Sequence, residues 1–274
     1  MTFIADRLSA IKPSPTIAVA QKARDLQAAG RNIISLGAGE PDFDTPKHII
    51  EAAKKAMDDG LTRYTAVNGT AELQDAIIGK FKRDNGLTYT RNEIHVSCGG
   101  KPVLFNAMMA TINPGDEVIV PAPYWVSYPD IVVLFGGVPV FIDCPKDADF
   151  KMTPAQLESA ITPKTKWLVF NSPSNPTGSC YTEADMKALG EVLKRHPQVW
   201  VMTDDIYEHL TYDGFKFTTI AQVVPELKAR TLTVNGMSKA YCMTGWRVGF
   251  AGGPDNLIKA ITKVQSQSIT HTSS

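Results

Sequence analysis

From residue 94 to residue 203 short β-like runs alternate with helical stretches, two more runs and a last helix follow to residue 267, and this alternation most restricts what the chain can fold into. The β-like runs fall at 94–97, 117–120, 138–142, 166–171, 199–203, 231–234 and 248–251. Helical stretches are predicted at 101–112, 125–135, 154–161, 182–195 and 255–267. Strands separated by helices favour an α/β fold with a mostly parallel sheet covered on both faces. Continuous apolar runs such as Trp167-Leu168-Val169-Phe170 and Val199-Trp200-Val201-Met202 fit strands buried on both sides. Ahead of this block, Lys12-Pro13-Ser14-Pro15 reads as an arm, and Thr16 as the N-cap of a helix from Ile17 to Ala29 that Gly30 ends. A β-like run at Ile33–Leu36 and helices at 46–59 and 70–84 follow.

In sheets of this kind ligands bind beyond the carboxyl ends of the strands. That rule selects Gly99-Gly100-Lys101, Pro121 to Trp125, Asn171 to Gly178, Asp204 to Tyr207 and Asn235 to Lys239. Lys239 sits among small residues in a loop between two β-like runs, and Arg247 follows eight positions later. An amine shielded from water and close to other positive charge loses proton affinity and can attack a carbonyl to form a Schiff base. The planar fork of Arg247 suits a phosphate. A phosphorylated carbonyl compound answers both, and pyridoxal phosphate is the natural candidate.

The other segments fit the same ligand. Gly99 and Gly100 lead from a strand into a helix, whose N-terminal N–H groups can hold a phosphate. Trp125 follows two prolines and offers a face for stacking. Asn175 lies in a rigid, proline-punctuated turn, Asn171-Ser172-Pro173-Ser174-Asn175-Pro176-Thr177-Gly178. Asp204 can pair with a pyridinium nitrogen, and the Tyr207 phenol can bond the ring's oxygen. At an effective dielectric near 20, opposite charges about 4 Å apart gain roughly 4 kcal/mol, enough to keep a ring nitrogen protonated at neutral pH. Each segment alone also has an ordinary reading: a solvated lysine, a glycine turn, a core tryptophan, a plain loop. Their joint placement at one end of one sheet is what asks for a common ligand.

Composition excludes other classes. With 28 basic and 28 acidic residues the formal net charge is zero, so no overall field draws the chain to nucleic acid or an anionic membrane. The four cysteines are widely spaced, without metal-ligand spacing or a CxxC pair, which points to reduced thiols and a cytoplasmic location, with no metal site expected. The opening residues carry an acid and a base where a signal peptide needs an apolar core. The apolar region from Ile131 to Ile142 is broken by Gly136, Gly137 and Pro139 and is too short to span a bilayer.

Taken as a set, Lys12-Pro13-Ser14, Gly37 to Pro46, Pro123-Tyr124-Trp125-Val126-Ser127-Tyr128-Pro129, Asn175-Pro176-Thr177-Gly178 and Ser238-Lys239 to Arg247 resemble the class I, fold type I pyridoxal-phosphate aminotransferases. The resemblance runs from about Ala10 to Gln267. It is strongest to the bacterial aspartate aminotransferases of the subgroup that includes prephenate aminotransferases. It implies transamination between L-aspartate or L-glutamate and a 2-oxo acid, with prephenate as a further acceptor, in a homodimer.

By that resemblance Lys239 is the catalytic lysine and the cofactor's attachment point. Asp204 would pair with the ring nitrogen, Tyr207 and Asn175 would bond the ring oxygen, and Trp125 would stack on the ring. Gly99, Gly100, Lys101 and Arg247 would hold the phosphate, joined by a tyrosine matching Tyr64 from a partner subunit. Gly39, Trp125 and Asn175 would contact substrate. Lys101 and Thr16 would serve a distal carboxylate, and Lys12 prephenate. Residues 1–40 would form an arm and part of a small domain, and 41–274 the large cofactor domain.

The family continues for more than a hundred residues beyond this C-terminus, through a small domain that carries the arginine for the substrate's α-carboxylate. The resemblance therefore implies a truncated chain that transaminates poorly or not at all by itself, the full-length product being a competent enzyme. A non-catalytic cofactor-binding remnant and a β-lyase of the same fold stay open as alternatives. Pro102 stands where relatives usually carry glutamine, which removes one N–H from the helix's first turn.

Overall fold

The computed structural model describes residues 3–13, 15–37 and 39–274. Ser14 and Ala38, which belong to two of the motif segments, lie outside the described residues.

In chain order the helices are α1 (Pro15–Ala28), α2 (Lys47–Asp58), α3 (Ala71–Asn85), α4 (Gly100–Thr111), α5 (Ser127–Leu134), α6 (Pro154–Ala160), α7 (Glu183–Arg195), α8 (Ile220–Val223) and α9 (Asp255–Ser266). The strands are β1 (Ile94–Ser97), β2 (Glu117–Ala122), β3 (Val138–Asp143), β4 (Thr165–Asn171), β5 (Trp200–Asp204), β6 (Thr231–Gly236) and β7 (Gly249–Gly252). They form one sheet in the order β1-β7-β6-β5-β4-β2-β3. The pairs β2–β3, β2–β4, β4–β5 and β5–β6 are parallel, while β7 runs antiparallel to both β1 and β6. Because β1 and β6 both oppose β7, β1 ends on the same edge as the parallel strands. The expected mostly parallel sheet is what the chain forms.

Side chains alternate across the sheet with period two. Trp167 and Val169 of β4 enter the core under α4, α5 and α9, whereas Leu168 and Phe170 enter the core under α6, α7 and α8. Both faces are thus dry, which is why β4 and β5 read as unbroken apolar runs. A third cluster, with Phe81 of α3, Tyr89 and Phe250, covers the β1–β7 edge. Local chemistry agrees with these ends. Thr70 caps α3, accepting from Leu73 N at 3.3 Å, and Gly86 ends it with φ of 65°. Thr153 and Thr182 open α6 and α7 through capping boxes with Gln156 and Asp185.

Three expectations need correction. The run Ile33–Leu36 forms no strand, and Ile34 and Leu36 are exposed, because no neighbouring strand offers it a ladder among the described residues. Thr16 is not an N-cap but lies inside α1, which starts at Pro15, since proline's fixed φ suits the first helical position. The helix predicted from residue 125 starts at Ser127, which leaves Trp125 on the loop after β2. The four-residue α8 was not anticipated, being too short to show a helical period.

Candidate active site

The sheet's order reverses at β2, because β3 pairs on one side of it and β4 on the other. Beyond such a switch point the flanking connections diverge and leave a crevice. The loops after β2, β4, β5, β6 and β1 all open at this edge, and they carry Trp125, Asn175, Asp204, Tyr207, Lys239 and Gly99.

Asp204 ends β5 and is 7% exposed. Burial raises its carboxyl to a pKa of about 6, against which hydrogen bonds from the Tyr128 side chain and the Ile206 backbone work. Tyr128 Oη donates to Asp204 Oδ2 at 2.8 Å, and burial followed by the nearby Asp204 holds that phenol neutral, well above its ordinary value. Asn171 Nδ2 donates to the Asp204 carbonyl at 2.7 Å, while its Oδ1 accepts from Asn175 N at 2.7 Å, so one amide ties the β4 turn to the end of β5. The pKa of the Tyr207 hydroxyl is raised by burial and then by Asp204, with the nearby Asn175 side chain opposing. Sequence reasoning singled out neither Tyr128 nor Asn171. Their signals were the tyrosine three residues after Trp125 on a short helix and an asparagine as the last residue of a strand.

At the same sheet edge, in the segments after β1 and β6, cations gather. Lys239 is half-buried and donates from Nζ to the Gly39 carbonyl. Its pKa is lowered mainly by burial and further by Arg247, with Glu40 opposing. The Lys101 amine is likewise lowered by burial and then by Arg247, and lies 4.7 Å from the centre of the Trp125 ring. Trp125 in turn meets Tyr128 edge-on, with ring centres 5.3 Å apart. Arg247 has a left-handed φ of 55° and donates to the carbonyls of Thr244 at 2.9 Å and Cys98 at 3.5 Å. Among the described residues it has no carboxylate partner.

The β1–α4 turn is shaped to admit that guanidinium. A Cβ on Gly99, whose φ is 99°, would sit 2.2 Å from Arg247 Nη2. A Cβ on Gly249 would sit 2.2 Å from Gly100 N. The missing side chains let the guanidinium and the first N–H groups of α4 share one concave corner, a geometry that favours an anion. An unpaired guanidinium, two amines of reduced proton affinity and a helix N-terminus fit a phosphorylated aldehyde. The buried carboxyl at the end of β5 fits a cationic ring nitrogen. The donor set therefore suits pyridoxal phosphate.

Other expected site residues stand apart from this group. Tyr64 is 92% exposed, and its ring meets His271 edge-on at 5.7 Å rather than Arg247. Thr16 and Lys12 are exposed, with no side-chain hydrogen bond or ion pair among the described residues. The turn Asp6–Ala10 packs on α5, so the arm carrying them passes the helix that follows Trp125.

Known proteins resemble this chain along almost all of its length. The family described as Aminotransferase class I and II matches residues 31–274. An aspartate/prephenate aminotransferase from Cereibacter sphaeroides is 62% identical over 271 residues, covering 99% of this chain and 68% of the relative. The crystal structure of the aspartate aminotransferase from Rhizobium meliloti superposes with a TM-score of 0.96 at 54% identity, covering 100% of this chain and 68% of that one. The Thermus thermophilus aspartate aminotransferase with maleate gives a TM-score of 0.95 at 46% identity, covering 100% and 70%. The chain belongs to the class I and II aminotransferase family, whose members work through pyridoxal 5'-phosphate.

Proposed function

We propose that the chain transfers an amino group between L-aspartate or L-glutamate and a 2-oxo acid, 2-oxoglutarate or oxaloacetate, and accepts prephenate as a further amino acceptor. The observation that carries this reading is the pairing of a half-buried lysine of lowered proton affinity with a buried carboxyl at the same sheet edge. Relatives named for aspartate and prephenate support the substrate class.

Bound in the crevice, pyridoxal phosphate supplies an electron sink for the bond broken at the substrate's α-carbon. The chain's residues do the rest. Lys239 would attach the cofactor and would hold and move the proton at the substrate's α-carbon. Asp204, held by Tyr128, keeps the ring nitrogen charged. Tyr207 and Asn175 would bond the ring oxygen, and Trp125 would offer its face to the ring. Arg247, Lys101, Gly99 and Gly100 grip the phosphate. Gly39 offers backbone to the substrate, Lys101 and Thr16 serve its distal carboxylate, and Lys12 serves prephenate.

The same reading makes the active form a homodimer to which Tyr64 contributes across subunits. Support comes from α2, an amphipathic helix with no buried residue, and from Met57, Leu61 and Tyr64, which leave an exposed apolar strip beside it. Residues 1–40 are read as an arm and part of a small domain, and 41–274 as the large domain. The exposure of Ile17, Val19, Ile34 and Leu36 supports that division. No helix among the described residues is long and apolar enough to cross a membrane, and the four free cysteines suit a reducing cytoplasm.

The test is a half-reaction. The purified chain is loaded with pyridoxal phosphate and given L-aspartate without any oxo acid. The expected result, a single turnover that even a slow enzyme completes, is conversion of the bound aldehyde to the amine form with release of oxaloacetate, abolished by Lys239→Ala. Release of ammonia instead would identify a lyase, and no conversion with either aspartate or glutamate would overturn the proposal.

A further inference from the structure

Behind the site, Glu208 is buried and both its carboxylate oxygens are occupied. Oε1 accepts from Asn235 Nδ2 at 2.8 Å and pairs with Lys80 Nζ, while Oε2 accepts from Asn85 Nδ2 at 2.9 Å. Lys80 and Asn85 belong to α3 and are themselves bonded, Nζ to Oδ1, at 2.7 Å. Asn235 lies on β6, and its Oδ1 accepts from Gly236 N at 2.7 Å. Asp84, Glu208 and His209 are the one group of metal-type side chains gathered among the described residues. The Lys80 ammonium and the two amides already satisfy Glu208, so this is a structural clamp rather than a cation site.

What the clamp joins is the point. Glu208 adjoins Tyr207 and closes the turn that begins at Asp204, its N–H donating to the Asp205 carbonyl at 2.9 Å. Asp205 N donates to Val234 O of β6 at 2.9 Å. Asn235 stands four residues before Lys239. One side chain thus links the turn that presents Asp204 and Tyr207 to the strand that presents Lys239, and braces both against α3. A group that must be gripped from opposite sides needs such a spacer, because small displacements of its holders weaken every contact at once.

We propose that Glu208 is a positioning residue that sets the distance between the Asp204–Tyr207 turn and the Lys239 loop, and through it how tightly and at what tilt the cofactor ring is held. The proposal rests on the reading of the site given above. Glu208→Gln keeps the side chain's size but replaces one acceptor oxygen with an amide donor, which then faces the donor of Asn85 or Asn235.

Titration of the wild-type chain with pyridoxal phosphate, followed by visible absorbance and induced circular dichroism, checks the underlying reading first. Absence of a saturable band would overturn that reading, and the proposal with it, before any variant is made. With the band present, Glu208→Gln is expected to raise the cofactor Kd roughly tenfold or more and to lower the dichroism per bound cofactor. Ile77→Ala removes a buried side chain from the same helix without touching the clamp, and is expected to lower Tm while leaving the dichroism per bound cofactor at the wild-type value. If Glu208→Gln behaves as Ile77→Ala does, Glu208 only supports the fold and the proposal is overturned. Should Glu208→Gln fail to fold, Asn235→Ser cuts the β6 arm of the clamp alone. It must then show both changes, and unchanged dichroism there overturns the proposal equally.

Discussion

Tyr128 donates its hydroxyl to Asp204 Oδ2 across 2.8 Å, joining the helix after Trp125 to the carboxyl at the end of β5. That bond favours the ionised carboxylate and opposes the upward push of burial. Tyr128→Phe is therefore expected to let Asp204 keep its proton to a pH above the present value of about 6. Cofactor affinity at neutral pH should fall about tenfold, the usual worth of one hydrogen bond to a charged group. Its acid limb should move to higher pH. Affinities for pyridoxal phosphate measured from pH 5 to 8 in both proteins check this, and superimposable profiles would refute it.

Asp204 also makes the cofactor-free protein less stable than its fold allows. Its pKa rises from 3.8 in the unfolded chain to about 6 in the folded one. A raised folded pKa means that the stabilising contribution of the proton is complete below about 3.8 and lost as pH climbs through about 6. Above pH 6 the buried, ionised Asp204 therefore costs about 3 kcal/mol. Asp205, raised by burial to about 7, adds to the same trend. Asp204→Asn should melt higher than wild type at pH 7.5 without cofactor, and the advantage should shrink towards pH 4. With saturating cofactor the order should reverse, because only the carboxylate can pair with a ring cation. Thermal melts at two pH values, with and without pyridoxal phosphate, test both halves.

Much of this is legible in the amino-acid sequence. Trp167-Leu168-Val169-Phe170 announced a strand buried on both faces, because each face receives alternate members of an unbroken apolar run. Asp204, Tyr207 and Lys239 were legible because residues immediately after strands of such a sheet face the ligand edge. Glu208 was not, since one position past Tyr207 an acid looks like any solvated one. Its burial depends on Lys80 and Asn85, which come from a helix more than a hundred residues earlier in the chain. Ile33–Leu36 misled for the opposite reason: β-branched composition gives a strand only where another strand stands alongside.

Gly99 tests the corner that admits Arg247. Alanine there would carry a Cβ into the guanidinium and would have to adopt a φ of 99°, a region that only glycine occupies cheaply. The backbone term alone is on the order of 1–3 kcal/mol. Gly99→Ala should therefore fold with a lowered Tm and bind pyridoxal phosphate at least about tenfold more weakly, since the displaced guanidinium loses the anion. Gly245→Ala is the control, because a Cβ there meets nothing within 4 Å. Equal cofactor affinity in the two variants would show that Gly99 contributes nothing to the corner.

The charge of Arg247 bears on the proton affinity of Lys239. Burial is the first cause of the lowered Lys239 pKa, and the positive charge of Arg247 is a further one, set against the opposing carboxylate of Glu40. Replacing Arg247 by methionine removes the charge and keeps much of the stem, so burial continues to depress the amine while Glu40 acts unopposed. The Lys239 pKa should then rise. A higher pKa leaves a smaller neutral fraction at any pH below it, and only the neutral amine attacks an aldehyde. Plain pyridoxal, which lacks the phosphate, separates this effect from lost phosphate binding: its attachment rate to Arg247→Met should show a midpoint displaced to higher pH than in wild type. Glu40→Gln should displace the midpoint the other way. If the Arg247 variant lowers the rate by the same factor at every pH, the arginine holds phosphate but does not tune the amine.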